Sequence, residues 1–219
     1  PALEQSSHAI KILAYDHNCD HPEYPIAVAN GSRYVAGSAF HLYGGDISAL
    51  THVKNATQKD VYFTEQWTGA NGDFDGDLGW HMEHVVIGAT RNWARTVLEW
   101  NLASTPPSLA RGCLDCQGAI SIDEANQTIT RHVSYYIIGQ LSRFLPEGST
   151  RIASSDDNGS IFNAAFSTPK GERVLLIYNS TDSQQNISVR SEQIADAHLP
   201  ITIAPRSALT LKWQSFRLD

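Results

Sequence analysis

At 219 residues, of which 42% are hydrophobic, the chain is long enough to fold as one large globular domain or as two small ones. Its 16 basic and 23 acidic residues give a net charge of −7 without a Lys/Arg cluster, which argues against nucleic acid or an anionic membrane as a partner. No apolar run approaches the roughly 20 residues that a transmembrane helix needs.

Upstream of Pro146, short strand-like runs alternate with helix-like runs. Each predicted strand is paired with the helix that follows it: 10–15 with 26–30, 34–41 with 47–54, 61–64 with 78–93, and 96–100 with 132–144. Such alternation is typical of βα units on a parallel sheet. The helix over 80–93 has the clearest apolar spacing, which predicts that Trp80 and Trp93 pack in the core.

Downstream of Pro146 the pattern changes to strands with alternating apolar residues, separated by turn-rich segments. The predicted strands are 161–166, 173–179, 185–189, 199–203 and 208–213. This part predicts an antiparallel β-sandwich of about 70 residues, with Tyr178 and Phe216 as exposed aromatics. The chain is therefore expected to divide into residues 1–146 and 147–219.

Polar and aromatic residues stand at the ends of the four upstream strands. Because the carboxyl ends of parallel strands share one rim, where enzymes of this architecture keep their chemistry, these side chains are expected to meet. The most informative is Glu65, a carboxylate at the end of an apolar strand with Trp and Gly just beyond it. The other candidates are Asp16, Asn18, His41, Tyr43, Trp67, Trp100 and Asn101.

Four βα units are too few to close an eight-stranded barrel, so the upstream part is either a small open sheet or half of a barrel. A dinucleotide-binding open sheet would need a Gly-rich turn after its first strand, and the sequence has none. The half-barrel interpretation is favoured, with the other strands expected N-terminal to Pro1.

Four segments carry a resemblance to a known family: 37–45 (GSAFHLYGG), 62–69 (YFTEQWTG), 97–102 (VLEWNL) and 135–152. In this order they resemble the C-terminal half of glycoside hydrolase family 30, which includes glucosylceramidases and endo-β-1,6-glucanases. The resemblance implies a (β/α)8 TIM barrel fused to a β-sandwich, with residues 10–103 supplying strands five to eight. It also implies a retaining mechanism in which Glu65 is the nucleophile.

The family's acid/base is a Glu on strand four, in a motif that this chain does not contain, so the isolated chain is expected to be inactive. The resemblance implies sugar contacts for the other seven candidates. Glu99 stands between Leu98 and Trp100, so its direction is uncertain, and it is interpreted as a hydrogen-bonding neighbour more readily than as a catalytic group. Leu42 stands where glucosylceramidases carry Trp, which favours an endo-β-1,6-glucanase over the alternatives, a glucosylceramidase-type β-glucosidase or a non-catalytic carbohydrate-binding fragment.

The expected partners are a β-glucan or other β-glucoside substrate and the missing N-terminal half of the barrel, in a secreted or periplasmic protein. No cofactor, no metal ion and no nucleic acid is expected. Cys113 and Cys116 lack a second pair or a His at zinc-finger spacing, and they are either a loop-closing disulfide or two free thiols.

Overall fold

The computed structural model describes residues 10–105, 113, 115–155, 159–190 and 198–214. Its first part confirms the predicted alternation of strands and helices, and it adds two segments that the sequence did not predict, a short strand over Thr68–Gly69 and a π-helical segment over His81–Ile87. The elements are β1 (Ile12–Cys19), α1 (Glu23–Gly31), β2 (Val35–Gly45), α2 (Ala49–Thr57), β3 (Asp60–Glu65), β4 (Thr68–Gly69), α3 (Phe74–Trp80), a π-helical segment (His81–Ile87), α4 (Gly88–Arg91) and β5 (Ala94–Val97).

Four of these strands form a parallel sheet in the order β1-β2-β3-β5. The inner strand β2 is buried on both faces over most of its length, as expected of a parallel sheet that is covered by helices. Gly37 is required there, because an added Cβ would overlap the Asp60 carbonyl oxygen of β3. Among the described residues, the outer edges of β1 and β5 have no further strand paired with them.

Smaller elements follow the sheet and were not predicted, apart from the last. They are β6 (Ala103–Ser104), β7 (Cys116–Gln117), β8 (Ile120–Asp123), β9 (Thr128–Arg131) and the predicted helix α5 (Val133–Ser142). The strand β7 pairs with β4, and β6, β8 and β9 form a three-stranded sheet. Cys113 and Cys116 form a disulfide, which decides between the two alternatives left open by the sequence.

The last part of the chain has the predicted antiparallel strands, preceded by a short strand that the sequence did not predict. It consists of β10 (Thr150–Ile152), β11 (Ile161–Ser167), β12 (Glu172–Asn179), β13 (Gln185–Arg190), β14 (His198–Ile203) and β15 (Ser207–Gln214). Strands β10, β11, β12 and β15 form one sheet in that order, and β13 pairs with β14.

Two buried apolar clusters stabilise the fold, and the π-helical segment contributes to both. Val85 joins the cluster beneath the parallel sheet. Met82 and Val86 join a second cluster that also contains residues of α5, β11 and β12. The helices of the first part therefore cover one face of the antiparallel sheet, and the two parts share a core.

Three aromatic residues lie elsewhere than predicted. Tyr178 is buried at 2% exposure, because its ring enters the shared core, so its prediction as an exposed aromatic was wrong. Trp80 and Trp93 are 38% and 51% exposed, and their prediction as core residues was also wrong. The helix ends at Arg91, before Trp93, and the change to π-helical geometry at His81 interrupts the regular spacing next to Trp80. Phe216 lies outside the described residues.

None of the helices within the described ranges is long and apolar enough to cross a membrane.

Candidate active site

Glu65 is the last residue of β3, at the carboxyl end of the parallel sheet. One of its carboxylate oxygens, Oε1, accepts a hydrogen bond of 3.1 Å from the Tyr43 hydroxyl and lies 3.7 Å from His41 Nδ1. The side chain is 29% exposed, so a ligand can reach it. The neighbouring strand β2 thus supplies both residues that fix the orientation of this carboxylate.

Asp16 holds the other side of the His41 ring. Its Oδ1 lies 3.2 Å from His41 Nε2 and accepts a 2.7 Å hydrogen bond from Thr64 Oγ1. The register of β1 against β2 shifts at this point, and both Tyr15 and Asp16 have positive φ angles of 82° and 52°. Because a bulge redirects the side chains next to it, we interpret this one as the feature that aims the Asp16 carboxylate at His41.

Tyr43 is positioned by its own backbone as well as by Glu65. Its N–H donates a 3.1 Å hydrogen bond to Asn18 Oδ1, so Asn18 contacts the tip of β2. Burial raises the pKa of the Tyr43 hydroxyl, and the neighbouring charges of Glu65 and Glu99 raise it further. The phenol therefore stays protonated at neutral pH and remains a hydrogen-bond donor.

Trp67 and Trp100 are joined through their backbones. The two residues form an isolated parallel bridge, and the Trp100 N–H donates a 2.7 Å hydrogen bond to the Gln66 carbonyl. Trp100 is 40% exposed, as an aromatic platform for a ligand would be. The side-chain oxygen of Asn101 is instead buried against Gly118 and has no hydrogen-bond partner among the described residues.

A buried acid and base lie beside this group, and one of them was not predicted. His81 Nδ1 is 2.7 Å from Glu99 Oε1, and the two side chains are only 3% and 4% exposed. Burial raises the pKa of Glu99, while the hydrogen bond and charge of His81 oppose the rise. Glu99 is thus a hydrogen-bonded neighbour, as expected, and its Oε2 has no partner among the described residues.

The structure brings four predicted residues into one network, Asp16, His41, Tyr43 and Glu65, and places Asn18 at its margin. Thr64 and His81 were missed as functional residues. The sequence shows Thr64 only as the neighbour of Glu65, and His81 only as part of a helix, so neither carried a signal of its own. A positioned, accessible carboxylate between a phenol and an imidazole can act as a nucleophile or as a base.

Comparisons with known proteins show what the chain as a whole is similar to. Residues 148–211 match the glycosyl hydrolase family 30 β-sandwich domain. The chain is 32% identical to the endo-1,6-β-D-glucanase neg1 of Aspergillus fumigatus over 91% of its own length and 43% of the relative. It is 23% identical to the lysosomal acid glucosylceramidase of Mus musculus, over 86% of this chain and 40% of that protein.

Among solved structures, the endo-β1,6-glucanase BT3312 has a TM-score of 0.86 and 30% sequence identity, covering 98% of this chain and 51% of that one. The chain thus spans about half the length, or less, of the relatives it matches. In sequence and in fold the chain is therefore similar to the C-terminal half of glycoside hydrolase family 30 enzymes, and residues 148–211 match the β-sandwich domain of that family.

Proposed function

We propose that the chain supplies the nucleophile half of a retaining glycoside hydrolase that cleaves β-1,6-linked glucan. In this proposal β1, β2, β3 and β5 are strands five to eight of a (β/α)8 barrel, and residues 147–219 are its β-sandwich. The observation that carries the proposal is the position of Glu65, which ends β3 with Tyr43 and His41 both facing its Oε1. The parallel order of the four strands supports the barrel, as do the outer edges of β1 and β5, which have no strand partner within the described part of the chain.

The geometry suits the first step of a retaining mechanism. The Tyr43 hydroxyl holds Oε1 of Glu65, which leaves the other carboxylate oxygen to attack the anomeric carbon. Attack forms a covalent glycosyl ester and expels the leaving oxygen, which an acid must protonate. Water then cleaves the ester with the same group acting as a base.

The described residues near Glu65 do not offer a free acid for this role. Asp16 is bonded to His41 and Thr64, and Glu99 is bonded to His81. The acid/base is therefore expected on the N-terminal half of the barrel, and the isolated chain is expected to have no meaningful activity on unactivated glucan.

The substrate assignment depends on the exposed rim. Tyr43 and Trp100 present half-exposed rings that can stack on sugar faces. The segment 71–77, NGDFDGD, which leads into α3, adds polar and acidic groups where a lipid-linked glucose would need an apolar surface. The names of the relatives support the same choice, since two of those reported are β-1,6-glucanases. A secreted or periplasmic location fits a polymeric substrate and a disulfide at Cys113 and Cys116.

The test uses the protein that contains both halves of the barrel. A 2-deoxy-2-fluoro-β-glucosyl fluoride is expected to label Glu65, identified by peptide mass spectrometry, and Glu65→Gln is expected to lower turnover by several orders of magnitude with an unchanged fold. Linear β-1,6-glucan is expected to be cleaved in strong preference to glucosylceramide. Labelling of a different carboxylate would refute the role of Glu65, and preference for the lipid would establish the glucosylceramidase alternative.

A further inference from the structure

A short segment of the chain, residues 115–120, lies between the two loops that carry the tryptophans of the candidate site. On one side it contacts the loop that follows Glu65, because β7 pairs with β4 in an antiparallel ribbon. The Ala70 N–H extends this contact with a 2.8 Å hydrogen bond to the Asp115 carbonyl. The segment is therefore bonded to the residues that come directly after Trp67.

The other side of the segment contacts the loop that contains Trp100. The Ala119 N–H donates a 2.8 Å hydrogen bond to the Asn101 carbonyl, and the Ile120 N–H donates one of 3.1 Å to the Leu102 carbonyl. The strand β8 continues the contact by pairing in parallel with β6. A single segment thus connects the loop after β3 with the loop after β5.

The ring of Trp67 is supported by the residue that pairs with Cys116. That residue is Gly69, and a Cβ added to it would lie 3.2 Å from Trp67 Cζ3, so the indole ring packs against the Gly69 backbone. Trp67 is half-buried, and its backbone is bridged to Trp100. A displacement of Gly69 would therefore move the surface on which the Trp67 ring lies.

The Cys113–Cys116 disulfide fixes the start of this segment. The strands β4 and β7 have two residues each, and two-stranded ribbons are at best marginally stable by themselves. The disulfide restricts Cys116, whose side chain is 5% exposed, and so keeps β7 in place. Because the cysteines are three positions apart, the bond closes a short loop and constrains the unfolded chain little. Its main effect is therefore expected on local geometry.

We propose that the Cys113–Cys116 disulfide positions the two tryptophan loops for sugar binding. It fixes the support of the Trp67 ring through the pairing of β7 with β4, and it fixes the Trp100 loop through the segment 115–120. The proposal rests on the function proposed above, with the two tryptophans as sugar contacts.

The nucleophile is fixed independently of this disulfide. Glu65 Oε1 is oriented by Tyr43 and His41, and both residues belong to β2. Opening the disulfide should therefore weaken sugar binding, which raises KM, and leave the attack by Glu65 nearly unchanged. A change that removes binding shared by the ground state and the transition state has this kinetic signature.

The experiment reduces the disulfide in the folded protein that contains both halves of the barrel. Cys113 is half-buried, so a dithiol can reach the bond. One molecule of dithiothreitol supplies two electrons and two protons, becomes a cyclic disulfide, and leaves thiols on Cys113 and Cys116. Alkylation followed by peptide mass spectrometry verifies that both thiols have formed, and circular dichroism verifies that the protein is still folded.

Reduction is expected to raise KM for linear β-1,6-glucan by about three- to tenfold, the range that corresponds to one aromatic contact. The turnover number kcat is expected to change by less than about twofold. Oxidised glutathione, which accepts the two electrons and two protons and becomes two thiols, is expected to re-form the disulfide and to restore KM. A disulfide that only stabilised the fold would leave KM unchanged in the folded, reduced protein.

Hydrogen exchange measured by mass spectrometry gives a second readout that does not depend on activity. After reduction, peptides that cover 68–70 and 115–120 are expected to exchange faster, because the Ala70 N–H loses its protection by the Asp115 carbonyl. Peptides that cover Tyr43 are expected to exchange at the same rate in both states.

Variants separate this disulfide from any other cysteine of the protein. The double variant Cys113→Ala/Cys116→Ala is expected to show the raised KM without reductant and no response to dithiothreitol. Asn126→Ala is the matched control, since it removes the hydrogen bond from its amide to Asp123 Oδ2 in the β8–β9 turn and should leave KM unchanged. If the double variant does not fold, the reversible reduction of the wild type carries the test.

An unchanged KM after complete reduction would overturn the proposal, and so would a response to dithiothreitol that persists in the double variant. A fall in kcat at constant KM would also overturn it, since the disulfide would then act on Glu65 and not on binding. The fluoro-sugar tests the proposed function separately. If it labels a different carboxylate while reduction still raises KM, the proposed nucleophile fails and the positioning role of the disulfide stands.

Discussion

Replacing His81 by leucine tests the buried pair that it forms with Glu99. The leucine keeps the bulk of the ring but leaves the Glu99 carboxylate, 4% exposed, without its hydrogen-bonding partner on Oε1. Its Oε2 has no partner among the described residues in the wild type. Removing one member of a buried charged pair typically costs about 3–5 kcal/mol, because the charge that remains is uncompensated.

Protonation of Glu99 limits this cost and makes it depend on pH. A carboxyl group with its ordinary pKa of 4.5 is ionised at pH 7, and protonating it there costs the equivalent of 2.5 pH units, or about 3.4 kcal/mol. At pH 5 the same step costs about 0.7 kcal/mol. We therefore expect His81→Leu to lower the free energy of unfolding by about 2–3 kcal/mol at pH 7 and by less than about 1 kcal/mol at pH 5.

The direction follows from the raised pKa of Glu99 in the folded state. A carboxyl group with a raised folded pKa contributes stability that is fully present below 4.5, its ordinary value, and is lost as the pH rises through the folded pKa. Burial raises this pKa in the wild type, and removing His81 removes the interactions that oppose the rise. The loss of stability must therefore grow from pH 5 to pH 7.

Urea unfolding, followed by tryptophan fluorescence at pH 5, 6 and 7, measures this loss. The matched control is His21→Leu, since His21 and Glu23 form the same kind of pair at 3.1 Å but are 66% and 73% exposed. The control is expected to stay within about 0.5 kcal/mol of the wild type at each pH. An equal loss for His81→Leu at pH 5 and pH 7 would show that packing, and not the uncompensated carboxyl group, sets the cost.

Two other substitutions test the shared core and the sandwich. Gly79→Ala is expected to destabilise the chain by about 1–2 kcal/mol, because the new Cβ would overlap Tyr178 Oη. The better helix propensity of Ala does not offset this overlap. Adding Tyr178→Phe removes the overlapping oxygen and should recover most of the loss, as measured by thermal unfolding. Asn179→Ala is expected to lower the free energy of unfolding by about 2–4 kcal/mol in the same assay. The amide of Asn179 is fully buried, donates hydrogen bonds to the Ser183 and Ala204 carbonyls, and accepts hydrogen bonds from Thr181. A loss below about 1 kcal/mol would contradict this expectation.

The sequence was enough to predict the main strands and helices, because β11, β12 and β15 are apolar runs bounded by turn residues and the long helix has regular apolar spacing. The same spacing failed for the tryptophans, since a π-helical segment begins at His81 and the helix ends before Trp93. No local pattern signals a π-helix, which depends on what the helix packs against.

Site residues at the ends of parallel strands could be predicted from the sequence. Contacts that depend on the direction of a side chain could not. Glu65, Tyr43 and His41 meet as expected, because parallel strands bring their carboxyl ends to one rim. Glu99 follows the end of β5 at Val97, so alternation no longer shows which way its side chain points. Its pairing with His81 joins two elements 18 residues apart, and only the folded packing reveals it.

The π-helical segment has a consequence for anyone who divides this chain. Its residues are shared between the apolar cluster under the parallel sheet and the cluster that reaches the antiparallel one. A cut at Pro146 would leave Met82 and Val86 facing water on one piece, and Phe166 and Leu176 facing water on the other. The antiparallel part is therefore not an independent module. To graft it onto another hydrolase, one would also have to transfer the helices that cover its apolar face.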